Sequence, residues 1–293
     1  MKVDIVCPLY KADDHIDALL AGLCAQKDVE LANVVFPVTY TDGCEKVIEK
    51  IANAGFSHFI VQPDQFSHSL TREKAIYDYC SSDVIVMLSQ DVKFVDDKAI
   101  SILAEAIHGD VIYAFGRQIV KKKTIEFYTR EKNYGAESTI VTKDDVDKLQ
   151  LKAFFASDAF SAYNREQFVK LGGYDHIHMM MSEDMYYAKK VLDNGYSKAY
   201  VAEAVVEHSH KFTLKQLYAR YYETGKWFAE HPEFDNYKTT DSGLKLALYV
   251  LKEALKDFNI KVLFRWLPDM TARYLGMKKG KRDHTNKKKQ YER

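Results

Sequence analysis

The stretch DVIVMLSQDVKF, residues 83–94, decides the fold. From Val84 to Leu88 it is an unbroken apolar run with no polar alternation. A strand carries such a run when both of its faces are covered, as in a parallel sheet between two layers of helices. Polarity returns at once with Ser89, Gln90 and Asp91. A carboxylate is thereby placed at the carboxyl edge of a buried strand.

The sequence on either side agrees. Strands are expected over VDIVCPL (3–9), NVVFPVTY (33–40), HFIVQ (58–62) and DVIYAFG (110–116), with helices over 13–26, 44–55, 70–80 and 96–108 between them. Strands alternating with helices are βαβ units, so the class is α/β, a mostly parallel sheet flanked by helices. Ligands of such sheets bind beyond the carboxyl ends of the strands. The loops beginning near Leu9, Tyr40, Gln62 and Ser89 are therefore where a site is expected. Residues 117–150 are polar and rich in lysine, and read as an inserted loop with little core. A strand and a short helix return over 154–175, and residues 206–230 form a second patterned block. GLKLALYVLKEALKDF (243–258) is an amphipathic helix with lysines interrupting its apolar face. The expected division is a main domain over 1–230 and a helical, basic C-terminal region over 231–293.

The 293 residues are 47% hydrophobic, enough for a sizeable core. Forty-two Lys and Arg balance 42 Asp and Glu, which argues against a protein that coats nucleic acid through bulk charge. Between Lys278 and Arg293, however, eight bases face two acids. That is either a solvated terminus or a contact for an anionic surface. The cysteines, Cys7, Cys24, Cys44 and Cys80, match no zinc spacing and suit a reducing compartment. The N-terminal apolar run is too short for a signal peptide, and no window reaches the roughly 18 uncharged apolar residues that span a membrane. The expected location is cytoplasmic, with peripheral membrane contact through the C-terminal region or homodimerisation there as alternatives.

Four motifs carry chemistry, each with a plainer reading beside it. Asp91 is either a turn aspartate or a hard oxygen ligand for Mg²⁺ or Mn²⁺. In FSHSLTREKA (66–75), Ser69 or Thr71 caps a helix, and Arg72 in the first turn is either an exposed cation or the partner of a phosphate. In HMMMSEDMYYAKKVLDNG (178–195), Ser182 reads as an N-cap with Glu183 and Asp184 in the first turn. Capping accounts for those acids; a general base at a pocket mouth is the sharper reading. In VEHSHKF (206–212), His208 and His210 share one face of a strand, as structural residues or as metal or phosphate ligands. Gln216 and Arg220 follow one helical turn apart.

Together, CPLY, SHSLTREKA, SQD, LGGYD, SEDMYYAKKVLDNGY and EHSHKFTLKQLYARYY resemble the family 2 inverting glycosyltransferases of the GT-A fold, over roughly residues 1–230. Among these the chain looks most like bacterial rhamnosyltransferases of cell-wall or O-antigen synthesis. The resemblance implies Asp184 as general base with Glu183 as its neighbour. It implies Asp91 and His208 as holders of the divalent cation, Mn²⁺ or Mg²⁺, that bridges the donor diphosphate. Ser89 stands where the family's metal motif has its first aspartate. Arg72, Gln90 and Arg220 would contact the donor, and Thr39 or Asp42 its base. The implied reaction moves L-rhamnose from dTDP-L-rhamnose to a glycan or polyprenyl-diphosphate-linked acceptor. A UDP-sugar donor, or a nucleotide- or glycan-binding module without turnover, are the alternatives.

Overall fold

A computed structural model describes residues 1–238 and 240–291. The strands are β1 (Lys2–Val6), β2 (Glu30–Thr39), β3 (Ser57–Val61), β4 (Val84–Leu88), β5 (Lys93–Phe94), β6 (Val111–Ile119), β7 (Thr139–Val141), β8 (Phe160–Asn164) and β9 (Ser197–Glu207). The helices are α1 (Ile16–Cys24), α2 (Glu45–Asn53), α3 (His68–Tyr79), α4 (Ala99–Glu105), α5 (Ile125–Asn133), α6 (Val146–Leu149), α7 (Arg165–Lys170), α8 (Glu183–Asp193), α9 (Leu214–Glu230), α10 (Thr240–Lys256) and α11 (Ile260–Tyr291). All strands join one sheet, in the order β3-β2-β1-β4-β8-β6-β9-β5, with β7 on β9.

The expected α/β architecture is present. β3, β2, β1 and β4 run parallel, as do β6 and β9. β8 is wedged antiparallel between β4 and β6. All five residues of β4 are buried, which is why its sequence shows no alternation. Val3, Ile5, Phe36, Val86, Leu88 and Phe160 belong to one core under the helices.

The chain divides into two compact units. The first contains Met1–Ile119, Tyr134–Val146 and Ala153–His208. The second contains Val120–Asn133, Asp147–Lys152 and Ser209–Arg293, so α9 belongs with the C-terminal helices. Residues 117–150, expected as a loop with little core, carry the end of β6, α5, β7 and α6. The apolar residues hidden in this polar segment explain the difference. Ile125 and Tyr128 are buried in a small core with Val250, Ala254 and Val262, all within the second unit. Also within that unit, α9 and α11 approach so closely that glycine is required at Gly280, where a Cβ would collide with the Tyr222 carbonyl.

Candidate active site

The carboxyl end of β4 opens the site in the first unit. The amide of Ser89 donates to the Ala159 carbonyl (3.1 Å), which ties SQD to the loop before β8. The chain then turns into β5, which pairs antiparallel with β9 so that Lys93 faces Glu207. That register brings Asp91 to His208, one residue past the end of β9. Asp91 Oδ1 lies 3.2 Å from His208 Nε2. The other ring nitrogen, Nδ1, is 2.8 Å from Gln118 Oε1 on β6. An amide oxygen only accepts, so Nδ1 carries the proton. In neutral His208 this turns the Nε2 lone pair toward a carboxylate. Two acceptors at that separation call for a proton or a cation between them. An imidazole and a hard carboxylate, with the Gln118 amide holding the ring in place, fit a divalent cation. Gln118 has no counterpart in the expected site; it lies in the segment read as a loop.

Gln90 bridges the loops after β1 and β4. Its Oε1 accepts from the Tyr10 amide (2.7 Å) and its Nε2 donates to the Tyr10 carbonyl (2.9 Å). Thr39, at the end of β2, is buried, with no hydrogen-bond partner for Oγ1 among the described residues. It lines a small cleft with Leu9, Lys11, Asp13, Thr41 and Cys44. Asp42 is exposed and does not line that cleft. Arg220 is exposed on α9 in the second unit, its guanidinium 5.6 Å from the Phe212 ring centroid. Gln216, one turn earlier, is spent on a capping box with Thr213.

SHSLTRE is tied into the first unit by its own contacts. The helix cap is Ser67, not Ser69 or Thr71; its side chain accepts from the Leu70 amide. Arg72 is buried, not presented to solvent, and pairs with Glu183 Oε1. The rest of the motif clamps the loop that leads to α8. Ser69 Oγ donates to the Ile177 carbonyl (2.5 Å) and accepts from the Met179 amide (2.9 Å). Glu73 accepts from the Tyr174 amide (2.5 Å) and lies 3.1 Å from His176 Nδ1. Close approach explains Gly173, at φ +53°, where a Cβ would lie 2.7 Å from Glu73 Oε1.

Ser182 precedes α8 in a left-handed conformation, φ 62°, and its side chain makes no cap hydrogen bond. Glu183 does not serve the helix end either, being turned to Arg72. Asp184 remains, half-buried, its Oδ1 accepting from the Met185 amide (2.7 Å). Burial first, then the charges of Glu183 and Asp158, hold its carboxyl well above the usual carboxylate range. Asp158 is absent from the sequence-based expectations. It is fully enclosed and accepts hydroxyl hydrogen bonds from Tyr113 (3.0 Å), Ser161 (2.8 Å), Tyr163 (2.5 Å) and Tyr174 (3.0 Å). Its signal in the sequence is an acid inside the apolar run FFASDAF (154–160). A carboxyl group raised by burial and like charges is suited to deprotonating a hydroxyl near neutral pH.

The fold is of the GT-A type found in glycosyltransferases, and the sequence relationships agree. The chain belongs to glycosyl transferase family 2, whose model matches residues 4–172, and it is a glycosyltransferase. It is 30% identical over 290 residues to the O-antigen chain rhamnosyltransferase RfbN of Salmonella typhimurium, covering 96% of this chain and 90% of that protein. It is 31% identical over 257 residues to the O-antigen chain rhamnosyltransferase WbaN of Salmonella anatum, covering 85% and 79%. Among solved structures, the mannosyltransferase PcManGT of Pyrobaculum calidifontis, in complex with GDP-Man and Mn²⁺, superposes with a TM-score of 0.62. At 13% identity, over 95% of this chain and 86% of that one, it shares the fold. No helix among the described residues is long and apolar enough to cross a membrane.

Proposed function

We propose that the protein is an inverting rhamnosyltransferase that moves L-rhamnose from dTDP-L-rhamnose to a lipid-linked glycan acceptor in bacterial surface polysaccharide synthesis. The observation that carries the mechanism is Asp184, whose carboxyl group is held above the usual range by burial and by Glu183 and Asp158. The donor assignment is supported by the two rhamnosyltransferases that this chain resembles along most of its length.

In this reading the acceptor hydroxyl attacks the anomeric carbon as Asp184 takes its proton. The new C–O bond forms on the face opposite the breaking bond, whose electron pair leaves with the diphosphate. No covalent enzyme intermediate is needed. Glu183 neutralises Arg72 and supplies negative charge beside the base. A divalent cation, Mn²⁺ or Mg²⁺, would be held by Asp91 and His208, and when bound it would offset charge on the leaving diphosphate. Gln118 keeps His208 in the tautomer that such a ligand requires. The orphaned hydroxyl of Thr39 suits a polar group of the base in the cleft after β2. Gln90 braces the loops on either side of the donor, and Asp42 and Arg220 are further donor contacts to test. The cytoplasm is the compartment of such donors. A lipid-linked acceptor would be met at the inner face of the plasma membrane through residues 231–293, with a homodimer as the other use of that region.

Calorimetry and a hydrolysis assay against dTDP-rhamnose, UDP-GlcNAc, UDP-galactose and UDP-glucose, with and without Mn²⁺, test the reading. Mn²⁺-dependent binding and slow hydrolysis of dTDP-rhamnose alone is expected. Preference for a UDP-sugar would overturn the rhamnose assignment and keep the mechanism. Asp184→Asn should lower transfer about 10²–10⁴-fold while leaving donor affinity nearly unchanged.

A further inference from the structure

The second unit ends in two helices whose apolar residues do not all face its core. On α10, Val250 and Ala254 point into the core they share with Tyr128 and Val262. Leu244, Leu248 and Leu255 are exposed. They are spaced four and seven residues apart, so they form one stripe along the helix. On α11, Ile260, Phe264, Leu267 and Tyr274 are exposed at steps of four, three and seven, a second stripe. Phe258, 86% exposed, stands between the two helices at φ 50°, where the chain turns. Phe264 is 81% exposed. Trp266 Nε1 donates to the Ala247 carbonyl (2.8 Å), so α11 is anchored to α10 on another face while the stripes stay outward.

The charges beside these stripes are mostly positive. Residues 243–282 hold ten Lys and Arg against three Asp and Glu. Of the three acids, Asp257 is paired with Lys123, Glu253 with Lys256, and Asp269 is buried against Arg273. Lys245, Lys252, Lys261 and Lys278 are exposed on the same helices as the stripes. An apolar stripe flanked by lysines suits the headgroup boundary of an anionic bilayer: the rings enter the acyl region and the ammonium groups stay with phosphates. A second copy of this chain would bring the same positive charge to the same face, so charge favours lipid over self-association.

We propose that the α10–α11 hairpin is an interfacial anchor that seats Phe258, Phe264 and the flanking leucines in a bilayer containing anionic phospholipid. The proposal rests on the membrane contact of the proposed function and names the residues that would make it; because lipid binding requires neither donor nor turnover, its failure and that of the transferase reading are distinguishable.

Flotation of the purified full chain with vesicles of phosphatidylcholine, with and without phosphatidylglycerol, tests it, with light scattering on the same samples. Wild type is expected to float with the phosphatidylglycerol vesicles, to be released by high salt, and to be monomeric without lipid. The exposed-site variant F258S/F264E should keep the wild-type circular dichroism and donor affinity and lose at least about tenfold in vesicle affinity. Failure of wild type to float would overturn the proposal. So would a lipid-free dimer that the same variant dissociates, because the face would then be a protein interface. Unchanged flotation of the variant, with loss on replacing Lys287, Lys288 and Lys289 by Ala, would also overturn it by assigning the binding to the basic tail alone.

Discussion

Arg72 and Glu183 are separated by 111 residues and meet in a buried ion pair. Removing one partner of such a pair leaves a charge without compensation and costs about 3–5 kcal/mol, whereas an apolar pair of similar volume is often tolerated. Arg72→Met should therefore lower stability in urea by about that amount, and adding Glu183→Leu should restore much of it. A double-variant loss equal to the sum of the losses in Arg72→Met and Glu183→Leu alone would show that the pair is not coupled. The same cluster sets the pH dependence. As the proposed base, Asp184 would have to be ionised to accept a proton, and its carboxyl group is raised, so activity should be lost on the acid side at a pH above the usual carboxylate range. Asp158→Asn removes one of the charges that raise it. The acid limb of the transfer rate should then move to lower pH. An unmoved limb would mean that Asp158 acts only as an acceptor for its tyrosines.

At the scale of elements, α3 acts through its N-terminal turn. Ser67, Ser69 and Glu73 hold the backbone of the loop between Gly173 and Ser182, which has few regular hydrogen bonds of its own. Ser69→Ala would strip the Ile177 carbonyl and the Met179 amide of a buried partner, at about 1–3 kcal/mol. The loop precedes α8, so the expected outcome is a fall in kcat with donor Kd unchanged, measured by transfer kinetics and calorimetry. Loss of donor affinity instead would return this motif to the nucleotide site that its position in the sequence suggests.

At the scale of the molecule, each unit has its own packing logic. The first is a mixed sheet whose carboxyl edge gathers Thr39 from the end of β2, Gln90 and Asp91 from the connection after β4, and His208 from just past β9. The second depends on the close packing of α9 against α11. Gly280→Leu would force the helices apart at the Tyr222 carbonyl. Overpacking of this kind typically costs about 1–3 kcal/mol. Thermal unfolding should show a lowered transition, and donor binding by the first unit should persist below it. Loss of donor binding at temperatures where the protein is still folded would show that the second unit contributes to the donor site.

The sequence by itself determined the α/β class, the order of the first strands and helices, and the residues at the sheet's carboxyl edge. These are local properties: an apolar run of strand length, helical spacing and polar residues immediately after them survive without knowledge of neighbours. It also carried the family resemblance through Asp91, SEDM and EHSH. Tertiary structure alone decided that Arg72 faces Glu183, that the charge of Asp158 acts on Asp184, and that Gln118 orients His208. Those are contacts between distant segments, and no periodicity encodes a partner more than a few turns away. The same holds for residues 117–150, where Ile125 and Tyr128 are too few to mark a helix and acquire meaning only against Val250, Ala254 and Val262. Ser182 shows the converse: its sequence context predicts a cap, but its left-handed backbone leaves the hydroxyl without the expected bond, and the acids beside it are used elsewhere.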